Sequence, residues 1–162
     1  MLIRVTTEIT RPSNTTAYSA NDVIGPATGQ SLLSFNVPYP LVSVVGGSVE
    51  GDSVHDSAIS IYVVTSSAYA PGVDNAAMTA PVYADGYAGG FGTSALGVSR
   101  VTEGVPFAVG GASFFYAPFP VRPVSNYLYA AIQTTNGFTP TSGQRFKVSL
   151  FLDVPQNELG RL

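Results

Sequence analysis

The chain has 162 residues, with seven Lys plus Arg against ten Asp plus Glu, one His, no Cys and a formal net charge of −3. Charged residues make up only 10% of it and hydrophobic ones 45%, with 17 Gly and 12 Pro, a balance foreign to helical proteins, which are richer in Lys, Glu, Leu and Ala. These figures exclude a disulfide framework and a thiolate metal site, and they argue against nucleic-acid binding and a polybasic membrane anchor, both of which need clustered cations. A chain of this length buries roughly two-thirds of its unfolded surface, so one self-sufficient domain is expected, with no cofactor and no structural metal.

The first residues alternate, Ile3, Val5 and Ile9 against Arg4, Thr6 and Glu8, which predicts a half-buried strand and not a secretory signal peptide. No window approaches eighteen consecutive apolar residues, so no spanning helix is expected and the chain reads as soluble. Pro12 then holds Arg11 extended, Ser13 and Asn14 supply turn chemistry, and Thr15-Thr-Ala-Tyr18 is extended again before the turn formers Ser19 to Asp22. The stretch from Ile9 to Ile24 is therefore an ordered corner between strands.

Leu33, Phe35 and Val37 alternate with polar residues until Pro38 and Pro40 stop the ladder, and Leu41 to Val45 resumes it. Gly46 to Ser57 has turn residues throughout and is expected to be a surface loop or a hairpin tip. Ile59, Ile61 and Val63 face inward on the next strand. Residues 65–97 keep neither period, and loops beyond about 12–15 residues usually carry a function or structure of their own. They are expected to form a long ordered excursion over one sheet edge, with one helical turn at Asp74 to Met78 and a short extended piece at Pro81 to Asp85.

Further strands are expected at Val98 to Thr102 and Ser113 to Tyr116, and an edge piece among Pro118, Pro120 and Pro123. Asn126 to Thr135 reads as a central strand, since both of its faces are apolar. Phe146, Val148, Leu150 and Leu152 give the clearest period-two signal. The predicted fold is all-β, an antiparallel two-sheet β-sandwich of jelly-roll type, spanning residues 1–153 with a tail at 154–162. Parallel α/β architecture lacks its crossover helices.

Residues with chemical potential are few. His55, flanked by Glu50, Asp52 and Asp56, lacks the spacing of a calcium loop, and one histidine cannot build a multi-histidine site. Gly86 to Gly92 opens no helix that would hold a phosphate, so it reads as a flexible or tightly turned loop. Gly92-Thr-Ser-Ala-Leu-Gly97 misses the nucleophile elbow by one position. Asp74, Asp85 and Glu103 would have to converge in space to form a hydrolytic pair. Asn14-Thr-Thr16 fits a glycosylation sequon but reads as a turn. No catalytic, cofactor or metal residue is therefore assigned. Tyr69, Tyr83, Tyr87 and Phe91 suit a contact surface, where tyrosine is enriched and Lys and Glu are depleted, or a sugar-stacking platform. Arg11 is expected to reach a partner.

Thr10-Arg-Pro-Ser-Asn-Thr-Thr-Ala-Tyr-Ser-Ala-Asn-Asp-Val-Ile24, Val73-Asp-Asn-Ala-Ala-Met78 with Tyr83-Ala-Asp85, and Asn126-Tyr-Leu-Tyr129 with Phe138-Thr-Pro-Thr-Ser-Gly143 together resemble a family of small structural proteins of tailed bacteriophages. The resemblance covers nearly the whole chain, and its first motif is the most specific. It implies a capsid decoration, or cement, protein made in the host cytoplasm and carried on the outer face of the virion head. There it would bind the major capsid protein as a small homo-oligomer, a trimer before a dimer, without catalysis. The rival expectation is a carbohydrate-binding module of a phage tail or surface structure.

Overall fold

The computed structural model describes residues 1–52, 57–92, 113–114 and 118–156. It is a sandwich of two antiparallel sheets. The first contains β1 (Leu2–Thr10), β10 (Arg145–Asp153), β4 (Val42–Gly51) and β8 (Phe119–Val121), in that order. The second runs from β2 (Val23–Ile24) through β9 (Tyr127–Thr134), β5 (Ile59–Val64) and β6 (Tyr87–Gly92) to β7 (Ser113–Phe114). β3 (Leu33–Asn36) continues the β2 edge along β9. The steps β1–β2, β3–β4, β4–β5, β7–β8, β8–β9 and β9–β10 all pass from one sheet to the other, whereas β5 and β6 pair directly. The orders 1-10-4-8 and 3-9-5-6 are those of a jelly roll, as the strand count and turn spacing predict.

The sheets close on a core that follows the alternation strand by strand. Leu33 and Phe35 of β3, Ile59, Ile61 and Val63 of β5, Leu128, Ala130 and Ile132 of β9, and Phe146, Val148, Leu150 and Leu152 of β10 all point into it. β9 lies between the β2/β3 edge and β5, and both of its faces are apolar because Leu128, Ala130 and Ile132 enter the main core while Ala131 is buried in a second cluster on the opposite face. β8 is an edge strand and tolerates Pro120 for that reason.

Four local expectations are corrected. Gly46 to Gly51 is not a loop: β4 continues through it, with Gly46 opposite Phe151 and Gly47 opposite Leu150, and Val45 is passed over in the register. Glycines beside a bulge in a strand look like turn residues in the sequence. Tyr87 to Gly92 is likewise a strand, paired with β5. A β-carbon on Gly90 would sit 2.5 Å from the Ile61 carbonyl oxygen, and one on Gly89 2.7 Å from the Phe119 ring, so these positions are bare because neighbours fill the space. Pro81 to Asp85 is not extended but ends in a 3-10 turn at Tyr83–Asp85, where the Asp85 carboxylate accepts the Val82 N–H at 2.8 Å. Asp74 to Met78 makes a single hydrogen-bonded turn, Ala76 N–H to Val73 carbonyl at 3.2 Å, without becoming helical, and Asn75 takes φ 61°. His55, Asp56, Glu103 and the strand expected at Val98 to Thr102 lie outside the described residues.

Residues 65–82 form a strap over the outer face of the second sheet. Val64, Tyr69 and Ala131 make a small second core there, with Leu32, Met78, Tyr87 and Tyr129 packed against it. The strap then runs along the outer edge of β2, with Asn75 N–H on the Val23 carbonyl and Val23 N–H on the Ala76 carbonyl, both 2.9 Å. An otherwise open sheet edge is covered in this way.

Candidate functional site

Two places gather side chains with chemical character. The first is the corner after β1. Backbone bonds lock it to the β9–β10 turn: Arg11 N–H to the Gln144 carbonyl and Tyr18 N–H to the Phe138 carbonyl, both 2.9 Å. The Asn14 carboxamide oxygen accepts the Thr16 N–H at 3.1 Å, the turn chemistry expected of it. Inside the corner the Arg11 guanidinium donates to the Tyr18 hydroxyl and to Asp74 Oδ2 at 3.1 Å. The Tyr18 hydroxyl donates in turn to Asp74 Oδ1, which also accepts the Gly25 N–H at 2.9 Å. The Tyr18 ring lies 5.0 Å from that of Phe138.

Arg11 is 0% and Asp74 6% exposed at the side chain, so this ion pair is internal. Burial, then the hydrogen bond and charge of Asp74, push the Tyr18 phenol well above its ordinary value, with Arg11 pulling the other way. The expectation that Arg11 reaches a partner is therefore corrected. Its chain turns inward because the one carboxylate that can neutralise it arrives from the strap. Asp74 is likewise occupied in holding the strap to the corner.

The second place is an open groove of ≈ 660 Å³ between the root of the strap and the segment after β8, lined by Ser66, Tyr83, Tyr87, Arg122, Val124 and Tyr129 among others. Tyr83 is 94% exposed on its 3-10 turn, and Val82, Val124 and Tyr127 are exposed as well. The Tyr127 and Tyr129 rings stack at 6.3 Å, and Tyr62 and Tyr87 approach at 6.3 Å. Among the described residues of this lining, Arg122 is the one charged side chain.

The four aromatic residues expected at a contact surface thus separate. Tyr83 and Tyr87 line the groove. Tyr69 is 3% exposed, a core residue of the strap whose hydroxyl donates to the Thr79 carbonyl at 2.5 Å. It cannot serve as an exposed platform, and burial, then the charge of Asp85 and the Tyr62 phenol, raise its own phenol. Phe91 belongs to β6, but its side chain lies outside the described residues. Sequence reasoning missed Arg122, Val124 and Tyr129. For Tyr129 a signal existed, because Tyr127 and Tyr129 alternate with the inward Leu128, but which outer face stays uncovered depends on the strap.

Two further acidic residues of the described chain are paired with arginines. Glu50 is paired with Arg4 across β10 at 2.5 Å, and Asp52 with Arg145 at 3.2 Å. No group of three or more His, Cys, Asp or Glu able to hold a metal occurs among the described residues. Comparisons with family models, curated proteins and solved structures find no match to this chain.

Proposed function

We propose that this chain is a non-catalytic virion structural module, a bacteriophage capsid decoration protein that binds the major capsid protein on the outer surface of the head and braces neighbouring subunits. The observation that carries the contact surface is the exposed apolar set at the groove: Tyr83 at 94% and Val124 at 54% in its lining, Val82 at 59% next to Tyr83 in the chain, and Tyr127 at 38% stacked on the lining residue Tyr129. Large side chains grouped on a surface so poor in charge mark an interaction site. The jelly roll supplies a rigid frame for them. Contacts of standard size, about 1,600 Å² in total, become strong when repeated over a lattice or through a homo-oligomer such as a trimer. The identity of the partner rests on the resemblance of the Thr10 to Ile24 segment and its companions.

Occupancy on heads tests the reading. Purified protein added to heads lacking it is expected to bind in many copies, and Tyr83→Ala to lower occupancy at least tenfold, the effect of an interface anchor worth about 2 kcal/mol, with an unchanged melting temperature. Absence of the wild-type protein from heads, or full occupancy by the variant, would overturn it. A glycan-array signal lost on Tyr83→Ala and Tyr87→Ala would instead favour carbohydrate binding, which the tyrosines, serines and Arg122 of the groove also suit.

A further inference from the structure

Asn136 and Gly137 form the chain's one Asn-Gly pair. Such a pair ordinarily marks a two-residue hairpin turn with positive φ, but here the connection from Thr134 to Arg145 is long and Gly137 is not in the left-handed region. Gly137 is needed for another reason: a β-carbon on it would stand 2.7 Å from the Tyr18 carbonyl oxygen. The corner therefore demands glycine, while nothing demands asparagine before it. The Asn136 side chain is exposed, and among the described residues its carboxamide makes no hydrogen bond and the Gly137 N–H has no acceptor.

We infer that Asn136-Gly137 is a site of spontaneous deamidation, which places an isoaspartyl link in the turn that holds the Tyr18 corner. The Gly137 nitrogen, losing its proton, attacks the Asn136 side-chain carbonyl carbon. The new C–N bond closes a succinimide, and the amide nitrogen leaves as ammonia. Water then opens either imide carbonyl, giving aspartate or isoaspartate, so the balance is one water consumed and one ammonia released. Glycine favours the attack because no side chain shields its nitrogen, and an unbonded N–H leaves nothing to break first.

The product is not silent, because the pair is pinned on both sides. Asn136 N–H donates to Ser57 Oγ at 3.2 Å, and that hydroxyl donates back to the Asn136 carbonyl at 2.8 Å. One residue beyond Gly137, the Phe138 carbonyl accepts the Tyr18 N–H at 2.9 Å. An isoaspartyl link adds a methylene between these fixed points. The extra length is taken up at the Phe138–Tyr18 bridge, and through Tyr18 it reaches Arg11 and Asp74.

The test is ageing of the folded protein at mildly alkaline pH, with peptide mass spectrometry, isoaspartyl methyltransferase labelling and melting curves. A methyl-accepting, deamidated peptide containing residue 136 is expected in the wild type and not in Asn136→Gln, with the aged wild type alone losing roughly 2–4 °C in Tm, the shift that follows one lost hydrogen bond at this size. A folded protein that stays amidated while the urea-unfolded chain deamidates overturns the site. Deamidation with unchanged melting overturns its link to the corner.

Discussion

The corner and the groove draw on the same residue types and use them in opposite ways. In the corner Arg11, Tyr18 and Asp74 are enclosed and bond to one another. At the groove Arg122 and Tyr83 are exposed, and Asp85 only shapes the turn that presents the tyrosine. The difference lies in when each group is desolvated. Arg11 lost its water on folding and keeps an ionic partner only while Asp74 stays in place, whereas Tyr83 keeps an apolar face in water that a partner would have to cover.

The sharpest way to break this contrast is to unpair the corner. Arg11→Ala leaves Asp74 buried without its cation, and Asp74→Ala does the converse. Each is expected to cost about 3–5 kcal/mol in urea unfolding, while joint replacement by apolar residues of similar volume recovers much of the loss. A single variant as stable as the wild type would show that the pair does not hold the strap.

A smaller effect is expected in β6. Gly90→Ala puts a methyl against the Ile61 carbonyl, so the β5–β6 pairing must shift, at about 1–3 kcal/mol. Exposed Gly29→Ala meets no neighbour, although its φ of 84° disfavours alanine, so it controls for conformational strain alone. Equal losses at the two positions would remove the packing account of the Gly-rich strand.

The mildest probe is alkali. The raised phenols of Tyr18 and Tyr69 stay protonated in the folded chain while the unfolded chain ionises them near their ordinary value of 10. Above that pH the unfolded state binds fewer protons than the native state, so the stability these groups contribute is complete below pH 10 and declines as pH rises beyond it. Absorbance at 295 nm is expected to show at least two tyrosines resisting ionisation until the protein unfolds. Tyr18→Phe should lower that number by one.

Legibility followed the range of the interactions. Strands whose two faces differ were plain: the period of Phe146 to Leu152 put four side chains into the core, and the Pro12 corner announced itself through backbone restriction. The glycine strands were not, because Gly46, Gly47, Gly89 and Gly90 carry no side chain to display a period, and Gly89 and Gly90 are bare on account of residues far away in sequence. The strap's edge pairing with β2 was foreshadowed only by its length.

The stretch from Thr10 to Ile24 shows the division most clearly. Its own residues determine an extended, turn-bounded corner, since φ restriction, β-branching and Asx turns act within a few positions. Where Arg11 points is settled by Asp74, 63 residues along the chain, and where the Tyr18 ring packs is settled by Phe138, far from it in sequence. Composition and alternation determined an all-β sandwich, because burial on one face of a strand is a local pattern. Tertiary structure alone decided which arginine is core and which tyrosines meet solvent, because desolvation is a property of what packs on a residue and not of the residue itself.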